Sequence, residues 1–210
     1  MPQVRFAPIR PLAALVLTAA VAAATACGRG PTPGVQARGF DNSAAATVDP
    51  AADRVARGKY LVNSIGGCND CHTPMKMGAH GPEPDMARYL SGHPEGLAVA
   101  PAPALDKGWM YAGNATNTAF AGPWGVSYAA NLTSDADTGL GAWTEDAFVL
   151  SIRSGKHLGV GRPILPPMPW PAYAKASDDD LKAMFAYLKT VPALKNRVPD
   201  AVVAPPPAAH

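Results

Sequence analysis

The sequence predicts an all-α domain whose helices are separated by long irregular segments wrapped around a bound apolar group. Three observations lead there. Apolar residues recur at helical spacing in three capped stretches, and no stretch alternates as a strand would over a useful length. Between the first and second helix, residues 73–137 are broken by Gly81-Pro82-Glu83-Pro84, Gly92-His93-Pro94 and Gly122-Pro123-Trp124-Gly125, a loop region too long for a compact domain unless it packs on something. Composition agrees: 48% of residues are hydrophobic, but many are alanines and only 7% are aromatic, so the core is thin for 210 residues and a large apolar group would help fill it. With 20 glycines and 23 prolines the chain stays below the low-complexity range, yet carries much irregular backbone.

The helices follow in order. Asp49 before Pro50 is an N-cap followed by proline at the first helical position, and Val55, Gly58, Leu61 and Val62 continue at helical spacing to about Asn63. A short helix is expected around Asp85–Leu90. Thr144 caps a second main helix, with Phe148 and Ile152 on one face and Gly155 as its stop. Ser177 and Asp180 form a capping box, and Leu181, Met184, Phe185 and Leu188 make an apolar stripe up to Thr190, with Pro192 ending the helix.

The chain divides into four parts. Residues 1–26 have a basic start (Arg5, Arg10), an apolar stretch from Leu12 to Val21, and Ala22-Ala23-Ala24-Thr25-Ala26 before Cys27, which is the plan of a secretory signal peptide. Cys27 follows the cleavage site as in a bacterial lipobox, where the cysteine is acylated; Ala24 stands where leucine is usual, and the alternative is a free or removed cysteine. Residues 27–48 read as lipidated cysteine and flexible tether, with a reach of about 25 Å. Residues 49–198 form the folded domain, and 199–210, with Pro205-Pro206-Pro207, a flexible tail. Lysine and arginine number 18 against 16 acidic residues, and Arg5 and Arg10 account for the excess, so the body is neutral. No basic run grips a phosphate backbone, which excludes a nucleic-acid partner. Export places the domain in the periplasm, held at a membrane by its lipid.

The chemistry is concentrated in Cys68-Asn69-Asp70-Cys71-His72, the CxxCH attachment motif for c-type haem. The two thiols reach the porphyrin vinyl groups, and His72 is placed to coordinate iron. A redox dithiol would expect a strand before the motif, and a zinc site would need ligands from His80, His93 or His157 at irregular spacing. The sixth iron position decides between electron transfer and chemistry at the metal. Met75, Met77, Met86, Met110, Met168, Met184, His80, His93 and His157 are the candidates. Met75 and Met77 follow His72 too closely, and Met184 belongs to the helical stripe. Met168 stands in Pro163-Ile164-Leu165-Pro166-Pro167-Met168-Pro169-Trp170, a loop whose prolines lower the entropy of presenting a thioether, and is the expected axial ligand.

The order of helix, CxxCH, loops, middle helix, proline-flanked methionine and final helix resembles class I cytochrome c over about residues 50–198. The resemblance implies a cytochrome c-like helical fold around one covalent haem c, with the first and last helices crossing at Gly58 against Phe185 or Tyr187. Tyr89-Leu90-Ser91-Gly92-His93-Pro94, the stretch from Asn131 to Trp143 and the Arg153-Ser154-Gly155-Lys156-His157 turn are similar to the enlarged cytochrome c domains of alcohol and aldehyde dehydrogenase cytochrome subunits. Those subunits carry several haems, whereas one motif here implies a single-haem carrier. The expected function is one-electron transfer between a dehydrogenase or quinol-oxidising complex and an acceptor such as a terminal oxidase, with no bond chemistry of its own. Two alternatives stand: a haem enzyme or ligand sensor with an open or labile sixth site, kept in play by His93 and His157, and a fixed subunit of a dehydrogenase. Trp124, Trp143, Trp170 and Tyr173 are candidates for the haem edge or a propionate. Arg153, Lys156, His157 and Arg162 could neutralise propionates or form a solvated face. Asp135, Asp137 and Thr138 read as a plain turn, a cation loop being the alternative.

Overall fold

The computed structural model describes residues 49–99 and 103–204. The expected signal peptide, Cys27, the tether and residues 205–210 of the tail lie outside the described residues.

Asp49 accepts a hydrogen bond from the Ala51 amide at 2.9 Å and starts α1, Pro50–Tyr60. The helix then widens into a π turn, Leu61–Ile65, closed by the Gly66 amide donating to the Leu61 carbonyl at 2.7 Å. Gly67, at φ +56°, takes the left-handed conformation that glycine reaches without a Cβ penalty, and α2, Cys68–His72, begins. The extra residue of the π turn thus re-aims the chain immediately before the CxxCH motif.

Thr144 Oγ1 accepts from the Ala147 amide at 3.1 Å and opens α3, Glu145–Ser154, which Gly155 ends in the left-handed conformation. After the methionine loop comes α4, Trp170–Tyr173. Ser177 Oγ accepts from the Asp180 amide at 3.1 Å to start α5, Asp178–Leu188, with its three aspartates at the positive end of the helix dipole. Leu181, Met184, Phe185 and Leu188 are buried with Leu61, Val62, Phe148 and Ile152, the Phe148 and Phe185 rings 5.3 Å apart. The helix expected at Asp85–Leu90 is one 3₁₀ turn, Met86–Arg88.

The crossing of α1 on α5 is as close as backbones come. A Cβ on Gly58 would lie 1.9 Å from the Ala183 carbonyl oxygen and 2.8 Å from Tyr187 Cβ. Of the two aromatic partners expected for Gly58, Tyr187 is the one it meets, while Phe185 turns toward Phe148.

The all-α expectation is overturned. Helix makes up only 34% of the structure, and two antiparallel sheets hold six strands among the described residues. β1 (Met75–Gly78) and β2 (Gly81–Pro84) form a hairpin. β3 (Ala112–Gly113), β4 (Ala119–Gly122), β5 (Gly125–Tyr128) and β6 (Val202–Val203) form a sheet in that order. These strands have two to four residues each, too few for an alternating pattern to register. The glycine and proline clusters read as loop punctuation include hairpin turns, Gly122 pairing with Gly125 across Pro123-Trp124. Pro82 and Pro84 lie in the two-stranded hairpin, where the missing amide is tolerated at an edge.

The tail expectation changes too, from Pro199 to Ala204. Val202 and Val203 pair with Val126 and Gly125, and the Ala204 amide donates to the Trp124 carbonyl at 2.9 Å. Buried Asn196 stitches the preceding stretch down by donating to the Ser91 and His93 carbonyls and accepting from the Glu95 amide. No helix among the described residues is long and apolar enough to cross a membrane.

Gly58→Ala forces a methyl group into the Ala183 carbonyl, and α1 must move off α5. Overpacking of this kind costs about 1–3 kcal/mol or more. The urea midpoint of the variant is expected to fall accordingly, and an unchanged midpoint refutes the contact.

Candidate cofactor site

A cavity of ≈ 360 Å³ opens between the helices and the four-stranded sheet, a size within the roughly 300–1,000 Å³ typical of ligand pockets. Phe148 and Ile152 from α3 and Leu181, Met184 and Leu188 from α5 form one apolar wall. Phe120 on β4, Ser127 and Tyr128 on β5 and the run Ala129–Leu132 form another, with the methionine loop from Ile164 to Pro169 between them. Cys68, Cys71, His72 and Met168 all line this cavity. The four residues singled out in the folded domain are therefore brought together, across a hundred residues of sequence. Cys27 lies outside the described residues.

His72 is buried, and its Nδ1 lies 2.7 Å from the Ala130 carbonyl oxygen. An acceptor there assigns the ring proton to Nδ1 and leaves the lone pair on Nε2 as the available ligand. Burial holds the imidazole below its ordinary pKa, against the opposing pull of that hydrogen bond, so the ring is neutral. Gly92 makes the arrangement possible: at φ +77°, its Cβ would sit 2.5 Å from the Ala130 carbonyl oxygen, and its amide donates to the His72 carbonyl at 2.7 Å.

Burial pushes the Cys68 thiol up to about 11 and raises that of Cys71. A redox-active dithiol needs the opposite shift. No three His, Cys, Asp or Glu side chains gather as metal ligands among the described residues. His93 is buried with Nδ1 2.9 Å from Thr118 Oγ1 and Nε2 3.1 Å from the Leu97 carbonyl, so both nitrogens are engaged away from the cavity.

Of the sixth-ligand candidates, Met168, Met184 and His157 line the cavity. Met77, Met86 and Met110 are exposed, Met75 sits in β1, and His80 lies in the turn between β1 and β2. Met184 is 7% exposed within the helical core. Met168 rides on a loop held from below, where Ser127 Oγ donates to the Pro166 carbonyl at 2.6 Å.

The propionate candidates separate. Arg162 and His157 line the cavity, whereas Arg153 is turned to the Ala174 carbonyl and Asp178, and Lys156 is exposed away from the lining. Sequence reasoning missed Arg197, which reaches the cavity from the irregular segment after α5; no local pattern marks it. Trp143 and Tyr173 line the cavity, while Trp124 donates to Ser127 Oγ and Trp170 packs where a Cβ on Gly155 would fall. The Asp135 carboxylate accepts from the Asp137 and Thr138 amides and the Thr138 hydroxyl, and these bonds, Thr138 first, lower its pKa. These bonds close a turn on Asp135.

The residues present suit a large planar apolar group with two thiol anchors, one imidazole nitrogen and one thioether on its surround. Comparison with known proteins gives the same answer. The chain is 34% identical over 148 residues to the cytochrome c subunit of the quinone-dependent alcohol dehydrogenase of Gluconobacter oxydans (strain 621H), an alignment covering 67% of this chain and 24% of that subunit. It is 42% identical over 65 residues to the gluconate 2-dehydrogenase cytochrome c subunit of Pantoea cypripedii, covering 31% and 14%, and 33% identical over 72 residues to the fructose dehydrogenase cytochrome subunit of Gluconobacter japonicus, covering 34% and 15%. The chain carries a c-type cytochrome domain. It is similar to the domains of dehydrogenase cytochrome subunits, and its matches span about a quarter or less of those relatives' length. No family model matches the chain. A c-type cytochrome domain implies haem c as its cofactor.

Burial holds His93 below its ordinary value of 6.5, so the unfolded cytochrome domain takes up a proton that the folded one refuses. Stability is full above pH 6.5 and falls as pH drops below it. Denaturant midpoints at about pH 7.5 and 5.5 should show this loss, and His93→Gln should reduce it without abolishing it, because burial lowers His72 and His157 as well. An unchanged pH slope in the variant refutes the assignment.

Proposed function

We propose that this chain is an exported, membrane-tethered, single-haem electron-transfer protein that works with a dehydrogenase. The observation that carries the reading is the gathering of Cys68, Cys71, His72 and Met168 on one apolar cavity. Cys68 and Cys71 would hold the porphyrin of haem c through thioethers, His72 would offer Nε2 to its iron and Met168 its sulfur. Haem c supplies a one-electron iron couple. The protein's part is to bind, orient and keep water away: Ala130 fixes the His72 tautomer, the walls from α3, α5 and β4 exclude solvent, and Arg162 and Arg197 offer charge to carboxylates. A thioether paired with imidazole favours ferrous iron and a high potential.

The relatives are cytochrome subunits of dehydrogenases, which supports a dehydrogenase as redox partner, with a quinol-oxidising complex or terminal oxidase as further electron-exchange partners. On this reading residues 1–26 direct export, Cys27 is acylated, and the tether lets the domain sit at the periplasmic face of a membrane. His157 on the cavity surround favours a second reading, a haem enzyme or ligand sensor with a labile sixth site.

Expression in a host that attaches c-type haem should yield one covalent haem per chain. Met168→Ala is expected to abolish the ferric methionine-to-iron charge-transfer band, open the iron to carbon monoxide and lower the potential; Met184→Ala should cost about 2–5 kcal/mol of stability and keep the band. Ready carbon monoxide binding by the unaltered protein would instead support the enzyme or sensor. Fatty-acid labelling is expected on the full chain and lost in Cys27→Ser; no labelling refutes the anchor.

A further inference from the structure

Tyr173 was a candidate for a propionate, yet its hydroxyl is committed elsewhere. It donates to the Gly66 carbonyl at 2.5 Å, two residues before Cys68. Gly66 is a crowded point: a Cβ there would lie 2.9 Å from the Leu61 carbonyl oxygen, 3.4 Å from Cys68 Sγ and 3.7 Å from Tyr173 Cε1. The ring of Tyr173 therefore rests on the backbone that launches the attachment helix, beside the first thiol.

The path from Tyr173 back to Met168 has no slack. The Ala172 amide donates to the Pro169 carbonyl at 2.9 Å and the Ala174 amide to the Trp170 carbonyl at 2.7 Å, so the intervening residues form one helical turn. On its other side the loop is held by Ser127 at the Pro166 carbonyl. Met168 thus lies between two tethers, one to the sheet and one to the segment that carries the cysteines.

We infer that Tyr173 is a positioning residue whose hydrogen bond to Gly66 holds the Met168 loop over the attachment segment and so keeps the methionine in place as the sixth ligand. The inference rests on the ligand assignment proposed above. Without the bond, the loop gains freedom to swing α4 and Met168 away from the cavity while both thioethers and His72 stay where they are. The hydroxyls of Tyr89 and Tyr187, 3.0 Å apart and both bonded to Asn63, make a comparable network that touches the π turn but not the methionine loop.

The test is carbon monoxide binding to the purified ferrous holoprotein, read per haem so that yield does not enter. Tyr173→Phe keeps the ring and removes the donor; the loss of one hydrogen bond predicts about a tenfold faster uptake, limited by methionine departure, with the charge-transfer band lost at lower denaturant. Tyr89→Phe should lower global stability and leave the uptake rate unchanged. In a Met168→Ala background, adding Tyr173→Phe should change the rate no further. Unchanged uptake in Tyr173→Phe, an equal rise in Tyr89→Phe, or a further rise in the double variant overturns the inference and leaves the ligand assignment standing. Retention of the methionine band in Met168→Ala alone overturns both.

Discussion

The domain depends on one contact, the crossing of α1 and α5 at Gly58. Only a residue without a side chain allows the α1 backbone to lie against the Ala183 carbonyl, where a Cβ would be 1.9 Å from the oxygen. That approach sets two things at once. It brings the end of α1, and therefore the π turn and Cys68, up against the helix that supplies Leu181, Met184 and Leu188 to the cavity. It also leaves Tyr187 beside α1, where its hydroxyl joins Asn63 and Tyr89 and braces the π turn from which the attachment helix departs. A larger residue at position 58 would separate the motif from its apolar wall.

The second constraint is that the cavity has walls of two kinds. Helices α3 and α5 supply aliphatic and aromatic side chains from one side, and a small antiparallel sheet closes the other. A sheet of such short strands is marginal alone; here it is held by side chains bonded to backbone. Ser127 reaches the methionine loop at Pro166, and Asn196 binds three backbone groups of the segment 91–95. Asn131 binds the Leu194 carbonyl and accepts from the Thr133 amide. These buried amides satisfy backbone groups of irregular chain that would otherwise be costly to bury.

Electrostatics at the site follow from burial. The thiols of Cys68 and Cys71 are raised and the His72 imidazole is kept neutral, all in the direction of uncharged groups in an apolar space. Burial likewise pushes the Tyr173 phenol up to about 12, keeping its proton available to Gly66. Uncharged thiols are poor equipment for thiol–disulfide exchange, and the neutral imidazole keeps one defined tautomer.

Some of this was legible in the chain itself. Caps, stops and stripes are local, so Asp49, Thr144, Gly155 and Ser177 announced three helices, and a five-residue motif with one loop methionine picked out residues that the fold gathers on one cavity. The tertiary structure decided the rest because the information is not local. Strands of two to four residues carry no period, and β6 pairs with β5 from more than seventy residues away. The choice of Tyr187 over Phe185 at Gly58, the Ala130 carbonyl as partner of His72, Arg197 at the cavity and Gly66 as acceptor for Tyr173 each depend on which backbone passes nearby. Residue type states what a group can bond; only the fold brings the partner within 3 Å.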